Sequence, residues 1–230
     1  YQVLGFGSGG SADAFIAATG GTITTVDTNY KVHTFNGNGT FAVTAGAGAI
    51  SVADYVVVAA GGGGGSYGGG GAGAGGYRES HVDATSGPYT ASPLASSTSI
   101  EIAPGSYPIV IGAGGTGHPV TNTNGGVSSG LGIESAGGDF GGRDDNHNGA
   151  TSSINGSAVA RAGGGGGGAS NSGGGNGGTG GGGSGGQAAN NGPGVSGVTN
   201  TGGGGGGASD DSSPVGQGGS GVVIIRYKFQ

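Results

Sequence analysis

The chain has 230 residues, 68 of them glycine, a formal net charge of −6 and no cysteine, methionine or tryptophan. Without cysteine there is neither a disulfide framework nor a thiolate metal site. The six Lys and Arg are scattered without forming a basic stripe, which argues against a nucleic-acid partner, and no apolar run reaches the roughly 18 residues of a membrane-spanning helix. Ordinary glycine usage is roughly 7%, so the glycine excess is the feature to explain. Collagen would need glycine at every third position with abundant proline; here glycine comes in unbroken runs and proline totals 7.

In chain order, residues 1–21 read as a lead-in, either a short docking strand or a connector to an upstream segment, with Val3, Leu4, Phe6, Phe15 and Ile16 apolar but without a sustained period. The chain begins at Tyr1 without an initiator methionine, so the expectation is a processed chain or a piece of a longer one. A single domain is expected over 22–230. Tyr30, Val32 and Thr34 alternate with Lys31 and His33, and Asn36-Gly37-Asn38-Gly39 separates them from Phe41 and Val43. Alternation broken by Asn-Gly predicts a hairpin. The run Val56-Val57-Val58 predicts a strand buried on both faces. Further strands are expected at 99–103, 107–111, 158–162 and 222–229, with Pro104-Gly105 as a turn. No window carries a helical apolar period, so essentially no α-helix is expected. The core should draw on Val32, Phe35, Phe41, Val56, Val58, Ile109, Ile111, Val223 and Ile225.

The glycine runs at 61–65, 163–168 and 202–207 are coupled to these strands, and the last two continue identically as GGGGGGAS. A glycine segment builds no side-chain core. It is either a flexible linker or backbone packed on backbone. Coupling to strong strands favours the second reading: extended helices of three residues per turn, bonded between neighbours. Ordered segments are expected at 61–76, 163–186 and 202–221, joined by polar loops at 77–98, 118–131, 139–150, 187–201 and 209–216. The fold class expected is therefore all-β, an antiparallel β-sandwich combined with a bundle of polyglycine-II helices.

HTFNGNGTFAV, DYVVVAAGGGGGS, GAGGYRES, PGSYPIVIGAGG and the closing GGSGVVIIRY occur in that order. Together they resemble the glycine-rich domain of bacteriophage tail-fibre and other virion structural proteins. A more distant likeness is to the glycine-rich domain of anaplastic lymphoma kinase-type receptors, carried here by 107–115 and 160–169; this chain lacks those receptors' cysteines. The resemblance implies a virion-surface, extracellular protein and a host cell-surface receptor, either carbohydrate or an outer-membrane protein. It also implies other virion proteins as partners and a homo-oligomer, by analogy a trimer.

No Lys follows the glycine runs as a P-loop requires, and no nucleophile or acid–base set stands out. An enzyme is not expected, nor a cofactor, a metal or membrane insertion. The stretch 143–148, with Asp144, Asp145 and His147, is oxygen-rich and could bind a cation, but a full site needs six to eight oxygens, so a solvated polar loop is the expectation. Tyr67, Tyr77, Tyr89 and Phe140 lie in or beside the glycine zone. Tyr77 is expected to cover the bundle's flank. Receptor contact is expected in loops around Tyr89, His118, Phe140 and His147, where a rigid platform leaves residues free to recognise a partner. The function expected is a phage structural protein, a tail-fibre tip or surface appendage for host attachment. The alternative is a self-assembling filament or surface-layer subunit.

Overall fold

The computed structural model describes residues 12–118, 121–141, 148–170, 173–187 and 192–230. Two antiparallel sheets face each other. The smaller is three-stranded in the order β1 (Ala14–Thr19), β4 (Gly39–Ala47), β8 (Gly105–Ile109). The larger is six-stranded. Its neighbours in order are β2 (Thr22–Val26), β3 (Tyr30–Phe35), β13 (Val222–Lys228), β5 (Val52–Val58) and β6 (Tyr77–Glu79), and β7 (Ile100–Glu101) also pairs with β5. Two short hairpins complete the strands: β9 (Ser128–Gly130) with β10 (Ile133–Ser135), and β11 (Ala150–Ser152) with β12 (Val159–Arg161). Among the described residues, helix is limited to α1 (Asp83–Ser86) and one tighter turn, Gly48–Ile50. The chain is all-β with antiparallel pairing, as its patterning implies.

β5 and β13 are continuous apolar runs because both of their faces are covered. Tyr55, Val57, Val223, Ile225 and Tyr227 point into the sandwich with Phe35, Phe41 and Ile109. Val56, Val58, Val222 and Ile224 point to the opposite face, against Val32 and Ile154 with Tyr77 and Tyr89 alongside. Of the residues expected in the core, only Ile111 is not fully buried; it packs half-exposed against the sandwich cluster.

Two expectations are corrected. Asn36-Gly37-Asn38-Gly39 does not close a hairpin: β3 pairs with β2 and β13, whereas β4 pairs with β1 and β8. Both edges of β3 are occupied, and Phe35 and Phe41 enter one core from opposite sheets, so the turn crosses between sheets. Ala14–Thr19, within the expected lead-in, is a strand of the sandwich with Ile16 buried. Within the loop expected at 77–98, Tyr77–Glu79 pairs along β5 and Asp83–Ser86 makes a helical turn.

The glycine segments lie beyond the sheets, tied by backbone hydrogen bonds that recur at every third residue. Along 59–65, the N–H groups of Ala59, Gly62 and Gly65 donate to Gly76, Gly73 and Gly70. Those of Ala60 and Gly63 donate to Gly126 and Thr123, and those of Gly61 and Gly64 to Gly219 and Gly216. The carbonyls turn to three other segments: Ala60 and Gly63 accept from Gly138 and Gly141, Gly61 from Gly115, and Gly62 and Gly65 from Gly205 and Ala208. Residues 202–208 are likewise enclosed, donating to Gly163, Gly166, Gly62, Gly65 and Val195 and accepting from Gly183, Gly186, Ala72, Gly216 and Gly219 among others. Buried backbone is thereby satisfied without a strand ladder. The spacing leaves no room for side chains: a Cβ on Gly61, Gly64, Gly165, Gly205 or Gly206 would overlap a neighbouring carbonyl.

Candidate functional site

The hydrogen-bond register gives the bundle a direction. Residues 59–65 leave the sheet at Val58, the last residue of β5, and Ala59 is bonded to Gly76 beside β6. Segments opposite Gly64 and Gly65 are therefore far from the sheet. Around that far end the chain reverses at 66–69 and, between Thr116 and Thr123, beside His118. Phe140-Gly141 and 208–215 lie at the same end.

Each turn there is fixed by local bonds. Thr123 N–H donates to Thr116 O (2.9 Å), and the Thr116 hydroxyl to Thr121 O (2.8 Å). Asn124 holds the Phe140 segment from both sides, its Oδ1 accepting from Phe140 N–H (2.9 Å) and its Nδ2 donating to Asp139 Oδ1 (2.9 Å). Asp210 Oδ1 accepts from Ser212 Oγ and from the N–H groups of Ser212 and Ser213, each at 2.8 Å. The Ser212 hydroxyl, then those N–H groups, holds the Asp210 carboxyl below its usual range. Tyr67 N–H donates to Asp210 O, and Val215 N–H to His118 O, both at 3.3 Å, which joins the turns.

Tyr67 is 79% exposed and Phe140 49% exposed. Tyr67 also has φ +63°, a left-handed conformation that a non-glycine residue adopts at a cost and that marks functional positions. His118 Nδ1 and Asp210 Oδ2 are buried and have no hydrogen-bond partner among the described residues. The far end thus presents two exposed aromatics and, beneath the surface, holds two polar atoms without a partner among the described residues.

The expected site residues divide. His118 and Phe140 lie at the far end. His147 and the acidic stretch 143–147 lie outside the described residues. Tyr89 is elsewhere, against the outer face of the six-stranded sheet. Its hydroxyl donates to Ser80 O (3.0 Å), and its ring lies 4.0 Å from that of His81. The Arg226 guanidinium sits 5.1 Å from the Tyr89 ring and 4.7 Å from Tyr30. Burial, then the nearby Asp54 and Glu79, pushes the Tyr89 phenol up from its ordinary value. Tyr77, expected on the bundle's flank, instead packs beside Tyr89's cluster, with its hydroxyl donating to Glu79 Oε2 (3.0 Å). Tyr67 completes the far-end group; its only sequence signal is an aromatic isolated among glycines.

Among the described residues no group of three His, Cys, Asp or Glu could hold a metal ion, and no helix is long and apolar enough to cross a membrane. The arrangement offers stacking and hydrogen-bonding groups on a backbone platform. A sandwich with polar loops tied to a bundle of packed glycine backbone defines a glycine-rich domain. The family model of that description matches residues 34–228, and the chain belongs to the glycine-rich domain family. No curated protein matches the chain significantly.

Proposed function

We propose that this chain is a structural protein of a phage virion, a tail-fibre tip or surface appendage that attaches to a host cell by binding alone. The observation that carries this reading is the gathering of Tyr67, His118 and Phe140 at one end of the bundle, away from the sheets. We infer further that the glycine segments are polyglycine-II helices. Their hydrogen bonds recur every third residue, to different neighbours in turn, as that helix requires. Such a bundle holds its loops rigidly, which lowers the entropy cost of binding. Exposed Tyr and Phe bury large areas with few rotatable bonds, and they suit a carbohydrate or the loops of an outer-membrane protein. With charged residues only 8% of the chain, attachment leans on stacking and hydrogen bonds and depends weakly on salt.

The test is attachment of labelled protein to a panel of bacterial cells and surface glycans, comparing the natural chain with a Tyr67→Ser, Phe140→Ser variant. Selective attachment that the folded variant loses is the expected result. Equal attachment by both removes this surface as the receptor site.

A second reading is a subunit of an extracellular filament. It is favoured by the outer edge of β2 (Thr22–Val26), which has no strand partner among the described residues and leaves Ile23 43% exposed. An open edge invites pairing with another chain. Electron microscopy of the purified chain separates the readings: discrete particles support the appendage, and continuous helical fibres the filament.

A further inference from the structure

His33 is the one imidazole shut inside the sandwich among the described residues, with no solvent exposure. Its Nδ1 lies 2.8 Å from Gly20 O and its Nε2 2.9 Å from the Tyr227 hydroxyl. A carbonyl oxygen only accepts, so Nδ1 carries the hydrogen and Nε2 accepts from Tyr227. The neutral ring therefore ties β3 and β13 of one sheet to the corner at Gly20, the residue that follows β1 of the other.

The site cannot satisfy a second proton. A protonated Nε2 would face the Tyr227 hydroxyl as a second donor, so the phenol must give up the bond it makes to the neutral ring, and the charge is shut away from solvent. No carboxylate compensates. β4 contributes Phe41, edge-on at 5.0 Å; the β1–β2 corner contributes the Gly20 carbonyl; β13 contributes Tyr227 and the neighbouring Lys228; β3 contributes Lys31. Burial, reinforced by Lys31, holds the imidazole below its ordinary value despite the Gly20 bond.

The element most easily given up is β1. It is paired on one side only, to β4, with register shifts between Ala14 and Ala18. It leads into Gly20 (φ +111°) and Gly21 (φ +62°), a corner where a side chain on Gly20 would overlap Thr40 O. β1 also forms a wall of a 370 Å³ cleft with Ile23, Tyr227 and Phe229.

We propose that His33, Tyr227 and Gly20 form an acid-sensitive latch: protonation of His33 releases β1 and opens the apolar cleft, while the rest of the six-stranded sheet stays paired. The latch is independent of what the far end of the bundle binds.

Hydrogen–deuterium exchange of residues 12–20, corrected for intrinsic rates, tests it between pH 8 and 4.5. A proton taken up only on opening lowers protection roughly tenfold per pH unit below about 6.5. His33→Gln keeps a donor for Gly20 and an acceptor for Tyr227 but cannot titrate, so its profile should be flat. The latch is overturned if β1 protection in the natural chain does not change with pH, or if the Gln variant shows the same loss. Should that variant fail to fold, an NMR titration of the His33 ring in the natural chain decides. Opening of β1 in step with ring protonation supports the latch; protonation without opening, or opening at an unrelated pH, overturns it.

Discussion

Gly165 faces the carbonyl of Gly205 so closely that a methyl group on its α-carbon would overlap that oxygen, and the N–H of Ala72 lies 3.0 Å from the same point. The Ala72 N–H donates to Gly205 O, and Gly165 N–H to Ala72 O, both at 2.9 Å. A side chain there separates three backbones at once. Gly165→Val should destabilise by roughly 3 kcal/mol or more. Gly173, in the same glycine-rich tract, has nothing within 4 Å of a Cβ, so Gly173→Val should change stability by less than about 0.5 kcal/mol. Denaturant unfolding of both variants checks the contrast, and equal effects would count against close packing at Gly165.

Arg226 is fully buried in the central strand. It donates to Ser86 O, to Ile154 O (3.1 Å) and to Asp27 Oδ2 (2.8 Å), between the Tyr30 and Tyr89 rings. It pins two loops to the sheet's outer face. Lysine cannot reproduce the planar fork or the stacking, so Arg226→Lys should cost roughly 2–4 kcal/mol by thermal unfolding. A loss under about 0.5 kcal/mol would mean the clamp contributes little.

Tyr67 holds a left-handed backbone conformation that costs an ordinary residue roughly 1–2 kcal/mol. Tyr67→Gly should therefore leave stability equal or raised by up to about 1 kcal/mol, while attachment falls. Loss of both stability and attachment would assign Tyr67 a packing role instead.

At alkaline pH the buried phenol of Tyr227, pushed up to about 12 by burial, should remain protonated in the fold. Its unfolded counterpart releases its proton near pH 10. The unfolded state then binds fewer protons, so stability is lost as pH rises from about 10 to 12. A Tyr227→Phe variant removes this contribution; the difference between the two stability profiles over that range, read by denaturant unfolding, is the check.

The strands with continuous or alternating apolar residues were legible: β3, β5 and β13 are found where their valines and isoleucines imply. The short strands β9, β10 and β11 carry mainly Ser, Gly, Ala and Thr, so no pattern announces them. The turn at Asn36-Gly37-Asn38-Gly39 misleads because local turn chemistry is silent about which edges β3 has left to offer. His118 and Phe140 could be assigned to the bundle's loops because glycine segments flank them. Tyr89 could not be separated from them, since its partner Arg226 is distant in the chain. Tyr67 needed the backbone dihedral to distinguish it from a flank aromatic.

The proposed recognition surface depends on the glycine backbone being an ordered bundle with a three-residue repeat. Scalar couplings across hydrogen bonds, measured by NMR between amide nitrogens and carbonyl carbons, test this most directly. Couplings from Ala59, Gly62 and Gly65 to Gly76, Gly73 and Gly70, and from Gly61 and Gly64 to Gly219 and Gly216, are predicted. Absent couplings with freely exchanging glycine amides would contradict the account.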